Sequence, residues 1–149
     1  MKLGLLLSLL CIFGWSCTPQ RSMIFKDVES IRVNYKKSSP LLVNLKFYNP
    51  NFHYVSIQSA AAYVYINNRY LGRLALDACF KVKRRRNVII PLTLPFDISK
   101  EYPDIPDSIF DSTFTIRLDG TITAGKNRTC NSSDFDYEIV KHPKPKIKK

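Results

Sequence analysis

Residues able to do chemistry are few in this chain, and their spacing argues against most catalytic schemes. There are two histidines, His53 just after an Asn-Pro-Asn turn and His142 near the end of the sequence. Neither has beside it the serine or cysteine and the orienting acid that nucleophilic catalysis requires, so His53 reads as a polar turn residue. The five glycines are scattered singly, which leaves no glycine-rich loop to cradle a phosphate. Glu101, Asp104, Asp107 and Asp111 have helical spacing. A calcium loop, however, needs oxygens converging at about 2.3–2.6 Å around a glycine bend, and this stretch has Pro103 and Pro106 instead. Asp134, Asp136 and Glu138 share one strand face and are expected to oppose basic neighbours rather than a metal. The expectation is therefore a protein without metal or cofactor, and not an enzyme.

The cysteines carry more information. Lys2, an apolar run over residues 3–13, then Gly14, Trp15 and Ser16 form the n-region, h-region and approach to cleavage of an export signal, followed at once by Cys17. The run is too short to cross a bilayer comfortably, and no other apolar stretch approaches that length. A small residue before a cysteine just past the h-region resembles the bacterial lipobox, where the thiol takes a diacylglyceryl group and becomes the mature N-terminus. The resemblance implies a lipoprotein anchored through Cys17. Gly14 and Trp15 depart from the motif, and simple secretion after cleavage at Ser16 is the alternative. Thr18, rather than an aspartate, is similar to the pattern of lipoproteins sent to the outer membrane of a diderm bacterium, facing the periplasm. Cys11 follows bulky Leu10 and reads as an apolar leader residue.

Cys79 and Cys130 fall in the folded part. An exported compartment permits a disulfide, and closing so long a loop removes about 4 kcal/mol of unfolded-chain entropy. Pairing also needs Cα atoms within about 7 Å, so a bridge and two free thiols both stay open. Formal charge is +11, falling by one when Lys2 leaves with the leader. Such a balance favours anionic partners, and export argues against nucleic acid. The charge is densest over residues 81–86, where Lys81, Lys83, Arg84, Arg85 and Arg86 sit at a hairpin tip. A tip can meet anionic lipid or glycan, although charge runs more often only face solvent. Tyr48, Tyr54 and Tyr70 are expected to be core or cross-strand material rather than an exposed patch.

The elements that position these residues are strands. Residues 41–72 read LLVNLKFYNPNFHYVSIQSAAAYVYINNRYLG. Leu41, Val43, Leu45 and Phe47 alternate with more polar partners, the period of a half-buried strand. The strand stops at Asn49-Pro50-Asn51, since Pro50 offers no N–H and holds Asn49 extended. A strand signal runs through Val55 and Ile57 and a β-rich run through residues 61–66. Asn67-Asn68 then tolerates the positive φ of a tight hairpin, and Gly72 permits a bulge on return. An earlier strand is expected through Ile31, Val33 and Tyr35. Later, Leu74 to Val82 is a long strand or a bent pair, and Val88 to Phe96 is an edge strand because of Pro91 and Pro95. Residues 97–111 form a connection with at most a short helix, and two more strands follow through Phe114–Ile122 and Phe135–Ile139.

The order of a strand ending in Asn49-Pro50-Asn51, a second apolar strand and a return through Leu71-Gly72 resembles the late embryogenesis abundant type 2 family, also called the WHy domain. That resemblance implies a small β-sandwich without catalytic residues, linked to stress tolerance. The sequence thus predicts an all-β, antiparallel sandwich of about seven strands, immunoglobulin- or fibronectin-III-like, with an open barrel as the alternative. Residues 1–16 are the leader, 17–26 a tether, 27–140 the domain and 141–149 a disordered basic tail. The expected role is envelope maintenance or stress protection at a membrane. The alternatives are an assembly subunit that adds a strand edge to an envelope protein partner, and an electrostatic adaptor on anionic lipid or glycan.

Overall fold

The computed structural model describes residues 19–32, 41–76, 78–94, 113–126 and 128–142. Its strands are β1 (Ile24–Arg32), β2 (Leu42–Tyr48), β3 (Val55–Ile66), β4 (Arg69–Ala75), β5 (Phe80–Val82), β6 (Asn87–Thr93), β7 (Phe114–Lys126) and β8 (Thr129–Lys141). All pairings are antiparallel, in the order β1-β2-β6-β4-β3-β7-β8, with β5 also on β3. The described residues contain no helix.

Layers follow from where pairing is dense and where it is thin. β2 and β6 pair along their whole length, whereas β6 meets β4 only at Ala75 and Thr93. One layer is therefore β1-β2-β6 and the other β4-β3-β7-β8, joined at that corner. The far edges also meet: Phe25 of β1 stacks on Phe135 of β8 with ring centroids 5.2 Å apart, and Phe47 of β2 stands edge-on to Phe135 at 5.4 Å. The result is a flattened, nearly closed antiparallel β-fold, in keeping with the expected all-β class. Val43, Leu45, Phe47, Ile57, Leu71, Leu74, Ile90, Leu92, Leu118 and Ile122 fill the space between the layers, and all are fully buried.

Several local expectations hold for the reasons given. Asn67 and Asn68 have φ of 47° and 64°, the left-handed pair of a tight hairpin. Val64 pairs with Gly72 but Tyr65 with Tyr70, so Leu71 is the extra residue of a bulge that Gly72 borders. The run from Leu74 to Val82 is a bent pair, β4 and β5, both against β3. Pro91 faces Asn44 between the hydrogen-bonded positions of β2, so its missing N–H falls on the side where β6 has almost no partner.

Three expectations are corrected. The tether does not extend to Lys26: β1 starts at Ile24, Met23 is buried, and Gln20 is already bonded into the domain. The first strand is accordingly earlier than predicted, because two register shifts, at Phe25/Asp27 and Val28/Ser30, hide its period of two. The tail expected from residue 141 yields Lys141 to β8; its residues 143–149, the signal region with Cys17 and the short helix expected within 97–111 lie outside the described residues.

Candidate functional site: a basic and aromatic pole

Register assigns most strand ends to one of two poles. At one pole lie the end of β2, the starts of β1, β3, β6 and β8, and the ends of β5 and β7. This pole collects the Asn-Pro-Asn turn, the basic hairpin and the first described residues of the chain. The hub is a pair of buried amides. Asn49 and Asn51 are the buried polar residues among those described, and Asn49 has no exposed surface.

Asn49 Nδ2 donates to the carbonyls of His53 and Lys83, each at 3.1 Å, with a longer contact to that of Val82 at 3.4 Å. Its Oδ1 accepts from the backbone N–H and the Nδ2 of Asn51, both at 3.0 Å. Asn51 in turn accepts from the Arg21 N–H at 2.7 Å and donates to the Arg21 carbonyl at 2.8 Å, a strand-like exchange made by a side chain. The turn also binds the basic hairpin through its backbone: Asn49 N–H donates to Arg86 O and Arg85 N–H to Asn51 O. Gln20 completes the clasp, donating to Ala124 O and accepting from Lys126 N–H and Asn131 Nδ2. Two asparagines that sequence marks only as turn formers thus tie together three separate segments.

The surface over this hub is cationic and aromatic. Phe52 is 64% exposed and Tyr54 48%. The Arg85 guanidinium lies 4.0 Å from the Phe52 ring centre, and the Lys81 and Lys126 ammonium groups flank Tyr54 at 5.9 and 5.5 Å. Arg85 holds φ at 48°, a left-handed conformation that a residue with a Cβ adopts at a cost. Beside the hairpin, Lys81, Lys83 and Arg86 line an open cleft of about 400 Å³. No carboxylate occurs among the described residues of 19–21, 49–54, 78–87 and 124–130.

The predicted site residues divide accordingly. Lys81, Lys83, Arg84, Arg85 and Arg86 do form one exposed tip, and Asn49, Pro50 and Asn51 support it. Gly72 lies elsewhere, at its bulge. Cys79 and Cys130 are exposed and unbonded. Cys79 precedes β5 and Cys130 lies on β8 rather than in a loop, with β3 and β7 between them. Three strand spacings separate the two, about 14 Å, twice the reach of a disulfide. The bridge is ruled out by topology.

The tyrosine expectation holds for Tyr70, a cross-strand partner of Tyr65 whose ring also meets Tyr63 on the outer face of β3 and β4. It is corrected for Tyr54, which precedes β3 and is exposed. Phe52 was missed, although the signal existed: it is an aromatic residue just after a turn that no strand phase accounts for.

Away from this pole the acids cluster on β7 and β8. Asp134 accepts from Thr121 Oγ1 at 2.8 Å and Glu138 stands opposite Arg117 in the strand register, but Asp136 faces Asp119, a like charge and not the basic neighbour expected. Burial first, and then the hydrogen bond to Asp136, hold the Asp119 carboxyl above its ordinary value, against the attraction of Arg117. Arg117 Nε reaches Asp119 Oδ2 at 3.4 Å without hydrogen-bond geometry, so this is a charge contact only. No group of three or more metal-ligating side chains converges among the described residues. His53 contributes its carbonyl to Asn49, and His142 Nδ1 lies 3.3 Å from Thr113 Oγ1.

No family model matches the chain, and no curated protein matches it. Solved structures do. The crystal structure of a protein from Archaeoglobus fulgidus aligns over 80% of this chain and 98% of its own, at 14% identity and a TM-score of 0.55. The solution structure of an Arabidopsis thaliana protein aligns over 86% of this chain and 82% of its own, at 16% identity and a TM-score of 0.48. At 14% identity the likeness to the archaeal structure is one of fold.

Proposed function

We propose that this chain is an exported, lipid-anchored, non-catalytic envelope protein of the late embryogenesis abundant type 2 kind, working at a membrane in envelope maintenance or stress protection. The observation that carries the reading is how closely Cys17 precedes a fixed point of the fold. Gln20 and Arg21 are hydrogen-bonded into the domain, so a lipid on Cys17 stands at most three residues, about 10 Å of extended chain, from its surface. A tether that short serves a domain whose work is done against the membrane. The Asn49-Pro50-Asn51 turn supports the family part of the proposal, because its amides organise the pole next to the anchor. Strand addition at the open side of β6 is the weaker reading, since Pro91 removes a donor from that edge.

Intact mass and membrane fractionation, wild type beside Cys17→Ala, test the proposal. A diacylglyceryl mass on Cys17 and loss of the variant from the membrane fraction are expected. Wild type that is soluble and cleaved after Ser16 would refute the anchor.

A further inference from the structure

The geometry points to a membrane-docking face: the pole bearing Phe52, Tyr54, Lys81, Lys83, Arg85 and Arg86 lies flat on an anionic phospholipid bilayer, with the aromatic rings at headgroup level. The inference rests on the anchored reading above and goes beyond it, fixing which face of the domain meets the lipid. Three independent features coincide at this pole. The first described residue, Pro19, is there, two positions after Cys17, so the point of attachment and the basic surface share one end of the molecule. The described residues of 19–21, 49–54, 78–87 and 124–130 carry basic residues and no carboxylate, whereas Asp27 and Glu29 lie further along β1, where Glu29 meets Lys46, and Asp119, Asp134 and Asp136 further along β7 and β8. A domain polarised in this way turns its basic end toward a negative surface.

The third feature is apolar. Phe52 is the most exposed large hydrophobic residue described, and it is held outward by a turn whose backbone is fixed by buried amides. Its ring is covered on one side by Arg85, an arrangement that lets the guanidinium meet phosphate while the ring enters the interface. Tyr54, with an ammonium group on either flank, has the amphipathic character that places tyrosine at membrane–water boundaries. Soluble polyanions would be satisfied by the charges alone. Exposed aromatic residues among the charges favour a bilayer.

Magnitudes are sufficient. A basic residue near an anionic surface contributes about 1 kcal/mol, roughly fivefold in partitioning, so reversing three costs on the order of a hundredfold or more. The side chains of Lys83, Arg84 and Arg86 are exposed, and the clasp uses only main-chain atoms of Lys83 and Arg86, so reversal leaves the fold's own bonds in place.

Phe52→Trp supplies the probe, because the one natural tryptophan, Trp15, belongs to the leader. The mature protein carrying Phe52→Trp is placed on vesicles of phosphatidylcholine, alone or mixed with phosphatidylglycerol, that contain brominated lipid. Tryptophan quenching is read in parallel with the mass at Cys17. The expected result is strong quenching on the anionic vesicles only, weakened by salt and lost when Lys83, Arg84 and Arg86 are changed to Glu. Absence of quenching from a protein with lipid on Cys17 overturns the docking face and leaves the anchor standing. Quenching without lipid on Cys17 keeps the face and removes the anchor. Equal quenching on neutral vesicles, or quenching indifferent to both salt and charge reversal, overturns anionic recognition.

Discussion

At the scale of single residues, the strongest dependence falls on Asn49. Its side chain satisfies donors and acceptors in three segments while fully buried, so Asn49→Ala leaves several of them without partners and without water. Each orphaned group costs about 1–3 kcal/mol, and the losses overlap, so the variant should lose roughly 3 kcal/mol in denaturant unfolding. A loss below about 1 kcal/mol would mean that water replaces the amide. The sequence made the turn legible through Pro50 but not this role, because asparagine at a turn is ordinarily satisfied locally and here serves distant backbone. A second dependence is on pH. The raised Asp119 pKa means that the folded state holds its proton more tightly than the unfolded chain. That contribution is therefore complete below the ordinary carboxylate value and is lost as pH rises through the folded value. Asp136→Asn should lower the Asp119 pKa in an NMR titration and flatten the stability profile over that window. An unchanged Asp119 titration would assign the shift to burial alone.

Among elements, the basic hairpin is where local cost and purpose separate. Arg85 in left-handed backbone costs about 1 kcal/mol that glycine would not, while its contact with Phe52 returns about 0.5–1 kcal/mol. The two nearly cancel, so Arg85→Gly should change unfolding free energy by under about 0.5 kcal/mol yet weaken binding to anionic vesicles about fivefold. A large stability loss would show that the residue is structural. Alternation located β2, β3, β6 and β7 well, because each keeps a period of two over most of its length. It failed for β1, where Phe25, Val28 and Ile31 turn the same way at intervals of three, since the register shifts insert residues between them. No local pattern separates such a strand from a polar tether.

For the whole molecule, closure depends on contacts between the strands most distant in sequence. Phe25 of β1 packs on Phe47, Phe135 and Tyr137, sealing the seam between the two ends of the sheet. Phe25→Ala should cost about 2–4 kcal/mol and raise hydrogen exchange first in β1 and β8; uniform exchange would place the weak point elsewhere. That seam could not be read from the sequence, which gives strands and turns but not which edges meet. The same limit kept the cysteines undecided: only topology shows that two strands separate them, and both should react with a thiol reagent in the native state. The coincidence of Gln20 and Arg21, the amide hub and the basic tip was hidden for the same reason, its parts being spread over more than a hundred residues.

The most direct measurement is lysine footprinting of the protein with the proposed lipid on Cys17, free and on anionic vesicles, read residue by residue. Protection of Lys81, Lys83 and Lys126 at the basic pole is expected, while Lys46 in mid-strand and Lys141 at the opposite end stay reactive. Protection of Lys46 or Lys141, or labelling of all five unchanged by the vesicles, would contradict the docking face.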